Sequence, residues 1–554
     1  MALLHLQSSV PPSPDQIDLR TWNKIIKRQV IEGNTKGAFL TYQQMQQTGI
    51  FTPDNFTFPV LLKAASNLSN PRLGLALHAQ IAKTPFDNHM LVQTSLLNMY
   101  SSIQRTDEAR KVFDSMESKD TVAWNSMLDA YVSSGNLDFA LKLFRFMPKR
   151  DLFSLNIMLS GYANLGNMDS AKAVFDEIPV KNLISWNSMI LACGNYGDME
   201  EARRVFDEMP ERDVISWNTL LGAYLNNKMF DEVILLFYKM KDEDIIPPDY
   251  LTVTTALSAC ADLGSLEKGR EIHIYALEKR LTSSMHVTTS LIDMYAKCGC
   301  LESFLIVFYK SQVRDVFCWN ALLSGLAIHG YGVIALKVFD EMLQRTKPDD
   351  VTFIALLNAC SHSGLVKEGQ TLFNSMEIKY NVTPKIEHYG CLVDLLGRAG
   401  CLEHAYKVID EMPLRPGKSI LGALLGACVN HRDVVIGEKV VKILLQSYGD
   451  DGLNDGDYMM VSNLYASCEC WHEADRWRAM MNDSGIVKTA GLSSITIGDR
   501  KKLIVNCHKQ SEKKKEMCWL PLSSQRRLPE RAGRGGVGGV ISALRCLSVG
   551  NNTP

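Results

Sequence analysis

The residues of this chain that could do chemistry are hydrogen-bonding groups in a fixed order. Asparagine or threonine recurs as Asn23, Thr94, Asn125, Asn156, Asn187, Asn218, Thr289 and Asn320. Aspartate or asparagine recurs as Asp54, Asp120, Asp151, Asn182, Asp213, Asp249, Asp315 and Asp349. An amide or hydroxyl both donates and accepts, whereas a carboxylate only accepts. Asn and Thr are mediocre helix formers, so their return at one helical position needs a cause, and local bonding to the backbone near a helix start is the simplest. Each member of the second set stands one residue before an expected helix, where Asp or Asn is the favoured N-cap.

Catalytic patterns are missing. A zinc deaminase needs H-x-E followed by P-C-x-x-C, because His and two thiolates hold the metal while Glu moves protons. None of the 12 His residues has Glu two places on, and no two Cys residues are spaced C-x-x-C. Cys468 and Cys470 with His472, and Cys298 with Cys300, have ligand-type side chains but read as ordinary packing and turn residues. Gly533, Gly535, Gly536, Gly538 and Gly539 follow no strand and open no helix, so they form no phosphate cradle. The chain is therefore read as a binding protein with no catalytic residue, metal, cofactor or small-molecule substrate.

The elements that must position these groups repeat. Trp124-Asn125-Ser126-Met127, Trp186-Asn187-Ser188-Met189 and Trp217-Asn218-Thr219-Leu220 share one register, with Leu155-Asn156 between the first two. Gly135, Gly166 and Gly197, and Phe113, Phe144, Phe175 and Phe206, keep the same 31-residue period. Such a period marks a solenoid, in which a unit buries its apolar face only by stacking on its neighbours. Each unit reads as two short helices: Val122 to Tyr131 closes at Gly135-Asn136, and Leu137 onward carries Ala140, Leu141, Leu143, Phe144 and Met147 before Pro148 stops it. Phasing on Trp-Asn gives twelve units over residues 19–417, starting at Leu19, Asn55, Met90, Thr121, Leu152, Leu183, Val214, Tyr250, Met285, Val316, Asp350 and Ile386. The expected class is all-α, a superhelical solenoid of helix-turn-helix repeats in the tetratricopeptide-like superfamily. The tetratricopeptide repeat itself, steadier near 34 residues and with another signature, fits poorly.

An apolar content of 46% suffices for a folded core, and 14 scattered cysteines point to a reducing compartment. No run of eighteen apolar residues occurs, so no membrane span is expected. Residues 500–554 hold 12 Lys or Arg against 3 Asp or Glu, which divides the net −2 into +9 for this tail and −11 for the rest. An array that gripped nucleic acid mainly through phosphates would be basic. Residues 1–18 lack Glu, have their only Asp at Asp15 and Asp18, and include several Ser, a short candidate transit peptide.

Specific phrases carry a family likeness: Phe56-Thr-Phe-Pro, Leu291-Ile-Asp-Met-Tyr-Ala-Lys-Cys-Gly, Val338-Phe-Asp-Glu-Met, Val393-Asp-Leu-Leu-Gly-Arg-Ala-Gly and Gly422-Ala-Leu-Leu-Gly-Ala-Cys. With the alternation of long, variant-long and short units, they make the chain resemble plant pentatricopeptide repeat proteins of the PLS class. Residues 418–498 resemble the extension motifs that follow the array in that class, without a DYW deaminase domain; 499–554 are left as a basic tail, expected to be disordered. The resemblance implies that the fifth and last residues of a unit together select one base of single-stranded organellar RNA: Asn with Asp for U, Asn with Asn for a pyrimidine, Thr with Asp for G. It also implies that the second residues Val122, Phe153, Ile184, Ile215 and Phe317 sandwich successive bases; plain packing between units is the alternative. The units of Asn55, Tyr250 and Asp350 break the pattern with Pro59/His89, Thr254/Ser284 and Ile354/Lys385. The function implied is site recognition for C-to-U editing, with a cytidine deaminase and accessory editing factors acting in trans. Splicing or transcript stabilisation, and a protein-binding scaffold, are the alternatives. The class favours the mitochondrion over the chloroplast.

Overall fold

The computed structural model describes residues 18–506 apart from 69, 243–245, 312–313, 450–451, 487–490 and 498–499. Residues 1–17 and 507–554, which hold nearly all of the candidate transit peptide and most of the basic tail, lie outside the described residues. The chain divides into two compact units, Met1–Thr255 and Ala256–Pro554. Each is a run of helical hairpins of an α-solenoid, with twenty-eight α-helices in all among the described residues.

The first helix of a hairpin packs on its own second helix and on the first helix of the next hairpin. First helices are consequently buried on more than one side. Leu152–Asn164 buries nine of its 13 residues, Asn156 among them. Second helices are amphipathic: Met199–Glu208 buries Met199, Ala202, Val205 and Phe206 and leaves Arg203 and Asp207 to pair at 2.8 Å on the outside. Eleven of the first helices begin at Leu19, Met90, Thr121, Leu152, Leu183, Val214, Tyr250, Met285, Val316, Asp350 and Ile386. The remaining unit, phased to Asn55, starts its helix at Thr57, because Asp54 accepts from the backbone N–H of both Phe56 and Thr57.

Between the helices of a hairpin the chain turns through one left-handed residue. Gly135, Gly166 and Gly197 have φ of 75°, 64° and 95°, where the absence of a Cβ costs nothing. Gln104, Lys228, Arg432 and Glu469 hold the corresponding turns with φ of 55–64° and bear the steric cost.

The end of the second helix is closed by a stack that recurs from unit to unit. Phe113, Phe175, Phe206 and Phe308 meet Trp124, Trp186, Trp217 and Trp319 edge-on, with ring centroids 4.8–5.1 Å apart. A cation lies over each Phe: Lys119 at 5.3 Å, Lys181 at 4.7 Å, Arg212 at 5.0 Å and Arg314 at 5.2 Å. The same cations bond the last carbonyls of the second helix, as Arg212 Nε does to Phe206 O at 3.0 Å and Lys181 Nζ to Ile178 O at 3.0 Å. Helix termination and aromatic packing are thus secured by one side chain.

After the array come four helices, Lys418–His431, Val434–Tyr448, Asp455–Ser467 and Trp471–Asp483, and then an antiparallel hairpin of Gly491–Ile497 with Arg500–Asn506. The repeats and the extension up to Asp483 are helical as expected, and the described part of the basic tail, Arg500–Asn506, is a strand. The consecutive Leu503, Ile504 and Val505 include two β-branched residues of high strand propensity.

Candidate functional site

The expected reading residues come together across a unit. Asn23 Nδ2 donates to Asp54 Oδ1 at 3.1 Å, Asn125 Nδ2 to Asp151 Oδ1 at 3.2 Å, Asn218 Nδ2 to Asp249 Oδ1 at 3.1 Å and Asn320 Nδ2 to Asp349 Oδ1 at 3.0 Å. Asn156 Nδ2 donates to Asn182 Oδ1 at 3.2 Å. The sequence separation of these pairs ranges from 26 to 31 residues, as the second helix lengthens from 10 to 13 residues, yet the bond length hardly changes. A closure conserved in space while its spacing varies is a property of the hairpin, not of the local sequence.

The last residue of each unit also caps the next helix. Asp120, Asp151, Asn182, Asp213, Asp315 and Asp349 each accept the backbone N–H of the third residue of the following helix at 2.8–3.0 Å. In Asp151 and Asp349 one carboxylate accepts both from the backbone and from the amide of the fifth residue. For Asp54 and Asp151 burial pushes the carboxyl up. Hydrogen bonds from Thr57 and Asn23 to the first, and from Ser154 and Asn125 to the second, outweigh it and hold both below the ordinary 3.8.

Three expected pairs are not joined. Among the described residues no hydrogen bond links Asn187 to Asp213, Thr94 to Asp120 or Thr289 to Asp315. The threonine hydroxyl sits one bond from Cβ and turns back on its own helix: Thr94 Oγ1 donates to Met90 O at 2.9 Å and Thr289 Oγ1 to Met285 O at 3.0 Å. In two of the variant-long units the last residue reaches the first residue of its own unit instead. Asn55 meets His89 at 3.2 Å and Lys385 pairs with Asp350, while Pro59 and Ile354 offer no polar side-chain group.

The second residues stand in solvent. Val122, Phe153, Ile184, Ile215 and Phe317 are 54–64% exposed, which packing between units would not leave. Phe56, Leu91, Leu251 and Val351, at the same register, are exposed as well. The fifth residues lie deeper, with Asn125, Asn156 and Asn320 at 5% exposure. Near the amino end a cleft of about 880 Å³ runs along first helices, lined by Lys27, Pro59, Lys63, Ser95 and Asn98 among others.

Nothing at these positions is set up for covalent chemistry. Burial pushes the Cys193, Cys260 and Cys428 thiols up to about 12, so they stay protonated at neutral pH and are poor nucleophiles. Among the described residues no group of three or more His, Cys, Asp or Glu side chains forms a metal-binding cluster, and no helix is long and apolar enough to cross a membrane.

Models of the PPR repeat match residues 94–121, 122–152, 153–183, 184–214, 351–379 and 387–415, and a PPR repeat family model matches 212–262 and 314–362. The Arabidopsis thaliana pentatricopeptide repeat-containing protein At3g29230 is 49% identical over 481 residues, covering 86% of this chain and 80% of that protein. The chain belongs to the pentatricopeptide repeat proteins. Its Arabidopsis relative At5g56310 is 36% identical over 449 residues, covering 81% of this chain and 73% of the other. The chloroplastic pentatricopeptide repeat protein ELI1 of Arabidopsis is 44% identical over 255 residues; this chain spans 40% of its length. The crystal structure of the maize pentatricopeptide repeat protein PPR10 superposes with a TM-score of 0.53 at 18% identity, covering 86% of this chain and 75% of that one, which fixes the fold. An E motif matches residues 431–496 and ends within the first strand of the hairpin.

Proposed function

We propose that this pentatricopeptide repeat protein binds single-stranded RNA in a sequence-specific manner and marks a cytidine for C-to-U editing in a plant organelle. The observation that carries the reading is the recurring arrangement of an exposed apolar second residue with an inward amide held by the last residue of the unit. An apolar side chain stacks on a base face and the amide reaches the base edge. The acidic balance of the array requires base contacts to supply much of the affinity, and it restrains binding to arbitrary RNA. The E motif favours editing over splicing or stabilisation as the outcome. With no deaminase spacing in the chain, a deaminase acts in trans, docked through residues 418–498. The proposed compartment is the mitochondrion with the chloroplast as the alternative, which the chloroplastic name of one relative supports; the transcript bound decides between them.

Read amino to carboxyl against RNA 5′ to 3′, the array prefers U-n-G-U-(C/U)-U-U-n-G-U-n-n, with the edited cytidine a few bases beyond. Selection of the full chain on randomised RNA tests this. Enrichment of that pattern supports it; an unrelated pattern overturns the base assignment, and no enrichment leaves a protein-binding scaffold as the better reading.

A further inference from the structure

A third residue takes part in four of the five asparagine closures. Thr57 Oγ1 lies 2.7 Å from Asn23 Oδ1, Ser185 Oγ 2.8 Å from Asn156 Oδ1, Thr252 Oγ1 2.7 Å from Asn218 Oδ1 and Thr352 Oγ1 2.7 Å from Asn320 Oδ1. In each case the hydroxyl belongs to the third residue of the following unit. Ser154 and Ser216 occupy the same place opposite Asn125 and Asn187. All six asparagines are thus backed by Ser or Thr. The two threonines are not: Thr94 is backed by Ala123 and Thr289 by Cys318, whose Sγ lies 3.3 Å from Thr289 Oγ1.

The last-residue oxygen at 3.0–3.2 Å belongs to a carboxylate in three of the four units and can only accept, so the Asn NH₂ must face it. The Asn carbonyl then faces the hydroxyl, whose single proton has two acceptors in reach, Asn Oδ1 at 2.7–2.8 Å and the last-residue Oδ1 at 2.8–2.9 Å. The last-residue oxygen already accepts from the amide and from the backbone, whereas the Asn carbonyl has only the hydroxyl, so the proton is assigned to the Asn carbonyl. The amide oxygen is consumed, and the one group left over is the second N–H of Nδ2. Thr94 and Thr289 finish with the opposite polarity, since their protons go to Met90 O and Met285 O and only oxygen lone pairs remain.

We infer that the hydroxyl at the third residue of the following unit is a positioning residue that makes an asparagine unit present a hydrogen-bond donor, whereas a threonine unit with no such hydroxyl behind it presents an acceptor. This rests on the RNA-reading proposal above and gives its base assignment a physical cause. Uracil offers carbonyl acceptors at O2 and O4, and guanine offers N1–H and amino donors, so the donor units suit U and the acceptor units suit G. Where Ser154 and Ser216 bond Asp151 O and Asp213 Oδ1 instead, Asn125 Oδ1 and Asn187 Oδ1 are buried without a partner. Turning the serine hydroxyl onto that oxygen removes the mismatch and sets the same donor polarity.

A helix cap alone does not require this hydroxyl, because Asp120 caps the Ala123 N–H at 2.8 Å and Asp315 the Cys318 N–H at 3.0 Å without one. The test is binding of the full chain to four RNAs that differ only at the base facing the unit of Asn218. Thr252→Val, which keeps the shape, should reduce the preference for U there by about tenfold, the low end of the cost of one mismatched base. Preferences at neighbouring bases should hold, and Thr252→Ser should restore the lost one. A second arm starts from Thr94→Asn, whose gain of U over G should rise by about tenfold when Ala123→Ser is added. If wild type prefers U at both Asn218 and Asn23 while Thr252→Val retains it and Ala123→Ser adds nothing, the hydroxyl is only a cap and this inference fails with the pair reading intact. If wild type shows no base preference at any unit, the RNA reading fails and the inference falls with it.

Discussion

Two kinds of unit solve the same closure problem differently. In the units of Asn23, Asn125, Asn218 and Asn320 the last residue reaches inward to the fifth, holding a polar group at the inner edge of the first helix. In the variant-long units of Asn55 and Asp350 it reaches back to the first residue, and the fifth is Pro59 or Ile354. Both closures tie the end of a unit to its start, so both satisfy the fold. Only the first leaves a directed hydrogen-bonding group behind. The difference separates what a repeat needs in order to stack from what it needs in order to read.

The aromatic frame gives the largest contrast. Trp319 is fully buried against Phe308, whereas the variant-long unit of Asp350 places Phe353 there, meeting Phe339 at 5.8 Å. Trp319→Ala should cost about 3–5 kcal/mol in urea unfolding, the range for emptying a large aromatic site. A loss below about 1 kcal/mol would mean that the stack is ornamental. Next in size, Asn218→Ala should weaken binding to an RNA carrying the favoured U by about 1–3 kcal/mol, while Ile354→Ala should leave RNA affinity unchanged. Equal losses from the two would erase the distinction between reading and non-reading units.

Acid should act on the inward closure. Asp54 and Asp151 have folded-state pKa values below 3.8, so their contribution to stability is complete above that value and is lost as the pH falls through the lowered folded value. Thermal midpoints should be insensitive to these two groups from pH 7 to about pH 5 and decline below about pH 4. Asn23→Ala removes a bond that lowers the Asp54 pKa and should make the acid decline smaller, and an unchanged profile would disconnect the amide from the carboxylate. The smallest effect is expected at a turn. Lys228 holds φ of 58° where the preceding hairpins have glycine, and Lys228→Gly should stabilise the chain by roughly 0.5–1 kcal/mol, relief of left-handed strain less the added freedom of the unfolded chain.

The hairpins were legible because their signals are local. Gly135, Gly166 and Gly197 mark turns, Pro148 marks a stop, and Trp-Asn marks the start of a first helix. The fifth and last residues were legible too, as recurring types at fixed places in a unit. The hydroxyl at Thr57, Ser185, Thr252 and Thr352 escaped notice because its partner lies in the preceding unit, 29 to 34 residues away, and its type alone reads as an ordinary helix-start residue. The signal was nevertheless present, in that Asn at the fifth position is always followed by Ser or Thr at the third position of the next unit. The cation that closes each second helix was similarly visible as Lys119, Arg150, Lys181, Arg212 and Arg314, each directly before a capping residue. Charge on a helix surface has so many routine explanations that its stacking on Phe became evident only in three dimensions.

The last residue of one unit caps the first helix of the next, so the boundary that phasing draws through residues 120–121 or 151–152 cuts through a working assembly. A graft that moves residues 121–151 into another array carries Asn125 and Asp151 but leaves Ser154 behind, and the recipient supplies whatever side chain stands there. On the inference drawn above, residues 124–154 form the transferable cassette, because that segment encloses the amide, the residue that holds it and the hydroxyl assigned to orient it. Swapped at those seams, a module takes its own polarity with it; swapped at the repeat boundary, it borrows polarity from its new neighbour.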